Sequence, residues 1–528
     1  MKKRYVALLA GALSLASACN MDKFLDVNTN PNAPQLVTAN LYLPAMEHWL
    51  VTSPLYDGRF IGRYTQMFML PTSGSTPSTW DRMGYDPTSD NGGEQWRDVY
   101  WSFGQNLSDM MNKAEAEQRW DLLGVGQVLR AWGWQVLVDT HGPIIIKEAF
   151  DQTRSTFDYD TEQYAYFVVD SLLHEAVKNL KRTDGAVDRT YLAKGDYLYG
   201  GDASKWLKFA YGLLAINHNH YSNKSTYDPK LVMAYVDSSF AGPADDAMWT
   251  YPQKDPNLQD YNFLGQSRGN FPSYRQTPFA LNLMNGTAFG GVVDPRLTRM
   301  LSPSPDGKYR GVDPKVPNQA FDSLTAPNNF YGWPGTQRPT PNSGRYVFDD
   351  KVTVPVMTYF QLQFVKAEAA YRFGDKATAL AAYVNGISTH IDFVNSKVAL
   401  NGDTTEHLIT SAEKAAFLAS PTIVPTAANL TLSQIMSQKY IAQWGWGFNE
   451  AWMDMRRYHY TDLDPASGQK VFIGFTPPTN LYPDNNGKLA YRIRPRYNSE
   501  YVWNSTALDA IGALAADYQT VPLWIIQP

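Results

Sequence analysis

The sequence predicts an all-α fold of tetratricopeptide-like helix pairs carrying long irregular insertions. Three observations predict it: a complete helical hairpin in residues 355–383, further amphipathic segments of the same kind, and long intervening stretches rich in Gly, Pro, Asn, Ser and Tyr. In the hairpin, Leu362, Val365, Ala369 and Phe373 recur at three- and four-residue steps and so share one face of a helix. Gly374-Asp375 ends that helix, and Ala379, Leu380 and Tyr383 mark the buried face of the next. The spacing Gly374, Ala379, Tyr383 is that of a tetratricopeptide pair, in which small residues let two helices approach and an aromatic ring closes the gap. One such pair cannot bury its apolar face alone, so partners are expected. An isolated antiparallel hairpin in an ordinary helical domain would show the same local pattern.

At the N-terminus, Lys2, Lys3 and Arg4 precede an apolar run from Tyr5 to Leu15, too short for the roughly 20 residues that span a bilayer. Ala16-Ser17-Ala18-Cys19 follows, the small-residue box of a bacterial lipoprotein signal. Residues 1–18 then form a signal peptide, and Cys19 is acylated as the first residue of the mature chain. Cys19 is the only cysteine among 528 residues, so no disulfide can form within the chain and a specific role for this thiol is expected. No later stretch supplies about 20 uncharged apolar residues, which makes lipid the expected membrane anchor. A formal charge of −5, with no basic run after residue 4, argues against nucleic-acid binding, which needs a clustered basic surface.

The helical segments follow in order. Gly124–Val138 carries Val128, Leu129, Ala131, Trp132 and Leu137, and His141-Gly142-Pro143 stops it. Thr161–Leu180 has Thr161 as its N-cap and a stripe of Ala165, Val168, Val169, Leu172, Leu173, Ala176 and Leu180. Asp202 caps Ala203–Ile216, and Leu432–Tyr458 reads as two helices broken at Gly445 to Gly447. Between them lie 71–95, 241–280, 301–350 and 463–500, longer than structureless loops in compact domains usually run. A binding surface on loops held by a rigid frame is therefore expected.

Motifs along nearly the whole chain resemble the SusD/RagB lipoproteins of Bacteroidetes, in particular their SusD-like branch. Phe24-Leu25-Asp26-Val27-Asn28-Thr29-Asn30-Pro31-Asn32 is similar to that family's opening after the acylated cysteine. Then come Leu129-Arg130-Ala131 with Gly142-Pro143, Tyr199-Gly200-Gly201-Asp202, and Lys205-Trp206-Leu207-Lys208-Phe209-Ala210. Asp294-Pro295-Arg296-Leu297, Gly307-Lys308-Tyr309-Arg310-Gly311, Phe364 with Ala367-Glu368-Ala369, Gln438-Lys439-Tyr440, and Ala451-Trp452 with Arg456-Arg457 complete the series. Three places depart from the pattern: Tyr211–Ile216, Gln361 where a glutamate is usual, and the loose Arg494-Pro495-Arg496-Tyr497 segment. The resemblance implies about eight helices in one SusD-like domain over 19–528, with insertions near 71–101, 241–350 and 463–500. It implies a non-catalytic lipoprotein, lipid-anchored at the outer membrane and facing the cell surface. Such a protein captures an oligosaccharide and delivers it to a SusC-like TonB-dependent transporter. Peptide capture, as in the RagB branch, is the alternative.

Catalytic and metal motifs give little. Gly265-Gln266-Ser267-Arg268-Gly269 has the spacing of a serine hydrolase elbow, but Pro272 follows and neither a buried strand nor a helix flanks it. Ser411-Ala412-Glu413-Lys414 lacks partner motifs, and His174-Glu175 has Lys178 where a zinc helix needs its second histidine. Asp484-Asn485-Asn486-Gly487 reads as a turn. No metal or cofactor is expected.

Aromatic residues make up 14% of the chain against 18% charged, and rings beyond those a core needs can serve as platforms for sugars or peptide side chains. The candidates are loop aromatics: Trp80, Tyr85, Trp96, Tyr100 and Trp101, with Asp81, Arg82 and Asn91 as polar partners, and later Tyr274, Tyr331 and Trp333. For Trp96, Tyr100 and Trp101 the spacings of four and five equally suit the buried face of a helix.

Overall fold

The computed structural model describes residues 37–71, 76–86, 88–255, 260–316, 319, 321–333, 345–401 and 408–528. The signal segment, Cys19 and the 24–32 motif lie outside them. Helix α1 (Leu43–Tyr64) is followed by α2 (Gly104–Ala116), α3 (Trp120–His141), α4 (Glu162–Leu180), α5 (Ala203–His220) and α6 (Pro229–Ser238). The second half adds α7 (Tyr359–Phe373), α8 (Lys376–Asn401), α9 (Leu432–Gln443) and α10 (Phe448–Arg457). Eight of these run twelve residues or longer, and successive members pack as pairs: α3 on α4, α5 on α6, α7 on α8. Four short strands occur among the described residues: β1 (Phe68–Met69), β2 (Ala247–Tyr251), β3 (Arg275–Gln276) and β4 (Val352–Met357). β1 pairs with β3 and β2 with β4, both antiparallel. No helix of the described residues is long and apolar enough to cross a membrane.

Local chemistry sets the helix ends. Thr161, Asp202 and Thr358 cap α4, α5 and α7 through their side-chain oxygens, satisfying first-turn N–H groups that have no partner inside the helix. Gly374 closes α7 in the left-handed conformation, φ +93°, and the Asp375 N–H reaches back to the Ala370 carbonyl at 2.9 Å.

Helix α7 is buried on two sides. Its Leu362, Val365 and Ala369 join a core made by α2 to α6 and the start of α1. Phe360, Phe364, Ala367 and Ala370 join a second core, built from α8 to α10, the rest of α1 and the insertions. Phe373, expected on the buried stripe, is instead half exposed at the helix end, where Lys230 lies over its ring.

The seam between the cores is ionic. Arg457 donates to both oxygens of Glu368 at 2.7 and 2.9 Å and to Asp454 at 2.6 Å, and Lys439 reaches Asp454 at 2.9 Å. Tyr458 and Asn219 complete the shell of Glu368. All of these groups lie away from solvent, so each charge persists because its partners replace water. Arg296 grips Asp294 through two nitrogens and also donates to Gln438. Several of the motif residues that carry the family resemblance thus hold the frame together.

Candidate functional site

The insertions fold back onto the second core, and this decides which loop aromatics can meet a ligand. Trp80 is buried among Phe60, Tyr64 and Tyr85, with its indole N–H donating to Asp86 at 3.0 Å. Tyr274 stacks on Phe271 at 4.5 Å, and the Tyr331 hydroxyl donates to the Leu264 carbonyl. Asp81 is buried in a two-point ion pair with Arg63. Arg82 is tied to Asn480 and Leu481, and Asn91 donates to Asp86. Trp80, Tyr85, Tyr274 and Tyr331 therefore offer no open ring face in this conformation. The reason is the hydrophobic gain from covering rings of this size, which outweighs the solvation of the loops that carry them. Trp333 keeps 40% of its surface exposed, and its backbone N–H shares the Asn329 side-chain oxygen with that of Tyr331.

Trp96, Tyr100 and Trp101 behave differently. The short helix Glu94–Arg97 runs into a π-turn, Asp98–Phe103, which ends at Gly104 with φ +32°. The extra residue per turn keeps Trp96, Val99 and Phe103 inside while turning Trp101 outward, 69% exposed. The Arg97 guanidinium lies 4.5 Å over the Trp101 ring and fixes its plane.

Trp101 and Tyr100 form one wall of a cleft of about 540 Å³. A second wall is the loop after α3, closed by the Ile144–Asp160 bridge and by the Asp160 carboxylate, which accepts from the Ile146 and Lys147 N–H groups. This loop presents Phe150 and Phe157. Phe150 stands at φ +68°, a conformation that costs an aromatic residue on the order of 1–3 kcal/mol, and it is held by Trp134 and by Arg130, 4.4 Å over its ring. The third wall is another π-turn, Tyr497–Tyr501, with Ser499 and Glu500. Glu500 accepts from the Trp96 indole at 3.2 Å, the Tyr159 hydroxyl at 2.6 Å and Asn504 at 3.1 Å. The Ser499 hydroxyl is buried and makes no hydrogen bond. Burial raises the Tyr100 and Tyr159 phenols well above their ordinary range, so both stay neutral donors at any physiological pH.

A polar lobe of about 440 Å³ continues from the same rings, bordered by Gln105, Asn106, Asp151, Gln152 and Arg154. Apolar ring faces beside amides, carboxylates and a guanidinium suit a ligand with C–H faces and hydroxyl edges. Phe150, Phe157, Ser499 and Glu500 were not legible as site residues. The chain brings 144–160 and 496–504 together across more than 330 positions, and no local motif announces that meeting.

The hydrolase-like segment has a structural role. The Ser267 hydroxyl donates to Asp350 at 2.6 Å and its N–H binds the other oxygen, which ties two insertions together. Among the described residues one group could hold a metal ion: Asp139, His220 and Glu450. His220 lies between the two carboxylates at 3.4 and 3.2 Å. Burial disfavours its charge, but the carboxylates outweigh burial and raise it to about 9, so a protonated imidazole already occupies this place.

The SusD-like family model, described as starch-binding and associating with the outer membrane, matches residues 33–483. The chain is similar in structure to a SusD/RagB family protein of Bacteroides thetaiotaomicron, with 22% identity, TM-score 0.67, and 93% of this chain and 99% of that one covered. A SusD homologue of Bacteroides fragilis gives 18% identity and TM-score 0.70 over 93% and 100%. A chitin-binding SusD homologue of Flavobacterium johnsoniae gives 19% and 0.65 over 92% and 98%. No curated protein matches. The span of the family match places this chain in the SusD-like family of non-catalytic, outer-membrane-associated nutrient-binding proteins.

Proposed function

We propose that the chain captures an oligosaccharide in the cleft between Trp101, Phe150, Phe157 and Glu500 and delivers it to a SusC-like TonB-dependent transporter. In this reading residues 1–18 are removed, one domain follows, and lipid at Cys19 holds it at the cell surface. The observation that carries the proposal is Trp101, an indole 69% exposed on a backbone turn that spends helical regularity to aim it at a cleft. A tryptophan in that position stacks on a sugar face, contributing about 1 kcal/mol beyond area burial, while the amides of the polar lobe take hydroxyls. A few such contacts give micromolar to millimolar affinity, suited to a protein that must release its ligand. Two solved relatives are described as chitin-binding, which makes chito-oligosaccharides the first ligands to try.

The test is calorimetric titration of the chain from Asn20 with chito- and malto-oligosaccharides and a peptide digest. Saturable heat with one glycan class, weakened at least tenfold by Trp101→Ala at unchanged melting temperature, is expected. Heat with peptides alone would replace the glycan reading by the peptide one.

A further inference from the structure

A second hollow, of about 250 Å³, opens on the helical frame and shares no residue with the cleft. Asn217 of α5 forms its floor. Both carboxamide atoms, Oδ1 and Nδ2, are buried and hydrogen-bond to nothing among the described residues. Native folds leave few buried amides in that state, and water or a ligand is a common source of the missing bonds. Phe167 of α4 lines the hollow at 63% exposure, as does Tyr221 just after α5. The Asp170 carboxylate pairs with the His218 ring at 2.8 Å and has His174 at 3.3 Å, so both of its oxygens are already engaged. The Asp228 carboxylate is engaged in capping α6, and Thr226 leaves a hydroxyl at the edge.

We propose that this hollow is a second saccharide subsite, taking one uncharged hydroxylated ring with its apolar face on Phe167 and a hydroxyl pair on the Asn217 amide. The carboxamide offers one donor and one acceptor side by side, the pairing that a vicinal diol matches. An anion would meet two carboxylates, and a cation would find Asp170 already held by its histidines. Volume limits the guest to a single residue, such as the end or a branch of a glycan. The inference stands independently of the cleft.

Saturation-transfer NMR with glucose and N-acetylglucosamine at millimolar concentration tests it, in a Trp101→Ala background that disables the cleft. Transfer is expected to persist in Trp101→Ala with at least one of the two sugars. Adding Phe167→Ala should lower it at least fivefold without moving the melting temperature, because that ring is exposed. Adding Asn217→Leu instead, alike in heavy-atom branching and free of unpaired polar atoms, should abolish it. Absence of transfer from Trp101→Ala with both sugars, or full transfer after Phe167→Ala, overturns the proposal.

Discussion

His220 shows how far a single side chain's role follows from its neighbours. Two carboxylates raise its folded-state value to about 9 against an ordinary 6.5, so the fold binds the proton more tightly than the unfolded chain does. Its contribution is fully present below pH 6.5 and is lost as the pH rises through 9. The shift corresponds to about 3 kcal/mol. His220→Gln is therefore expected to lie furthest below the wild type at pH 6, and the gap measured by urea denaturation should close toward pH 9. A gap independent of pH would mean that the imidazole is neutral in the fold. The same dependence on neighbours limits what a sequence says about a ligand site. Trp80 and Trp101 are both loop tryptophans, and composition cannot separate them. Phe60, Tyr64 and Tyr85 close over the first, whereas a π-turn turns the second out.

At the level of elements, the α7–α8 hairpin was the most legible part of the chain because its information is local: a three-four period, a glycine stop and a second period. Gly374 is where that information becomes energy. An L-residue at φ +93° is strained, so Gly374→Ala is expected to cost about 1–2 kcal/mol in a denaturation experiment, and Gly374→Asn less. Equal losses for both would show that close packing at this turn, not its backbone conformation, requires the glycine. The two π-turns of the cleft had no such signature. Their hydrogen bonds skip one residue more than an α-helix, and the pattern Trp96, Tyr100, Trp101 reads as well for a buried helix face as for a turn that splits its rings between core and solvent. The all-helical class, the caps and the paired helices were thus available from the sequence. The site's second and third walls were not, since they meet only through tertiary packing.

For the whole molecule, the decisive feature is that α1 and α7 each bury residues in both cores. Neither core keeps its closing face if the other melts, which argues for one cooperative transition despite the length of the chain. The ion network of Glu368, Arg457, Asp454 and Lys439 lies on that seam. Nearby Arg457 draws Glu368 well below the ordinary carboxylate range against the opposing effect of burial, so the pair is charged at neutral pH. Arg457→Met leaves Glu368 buried without its main partner and is expected to cost about 3–5 kcal/mol, whereas Glu368→Gln with Arg457→Met removes both charges and should recover part of that loss. Because the damage falls between the cores, calorimetry of Arg457→Met should resolve two transitions where the wild type shows one. Two transitions already present in the wild type would mean that α1 and α7 do not couple the cores, and that the charges of the seam serve only local packing. A single, lowered transition in the variant would show that the shared helices alone are enough to hold the two halves to a common fate.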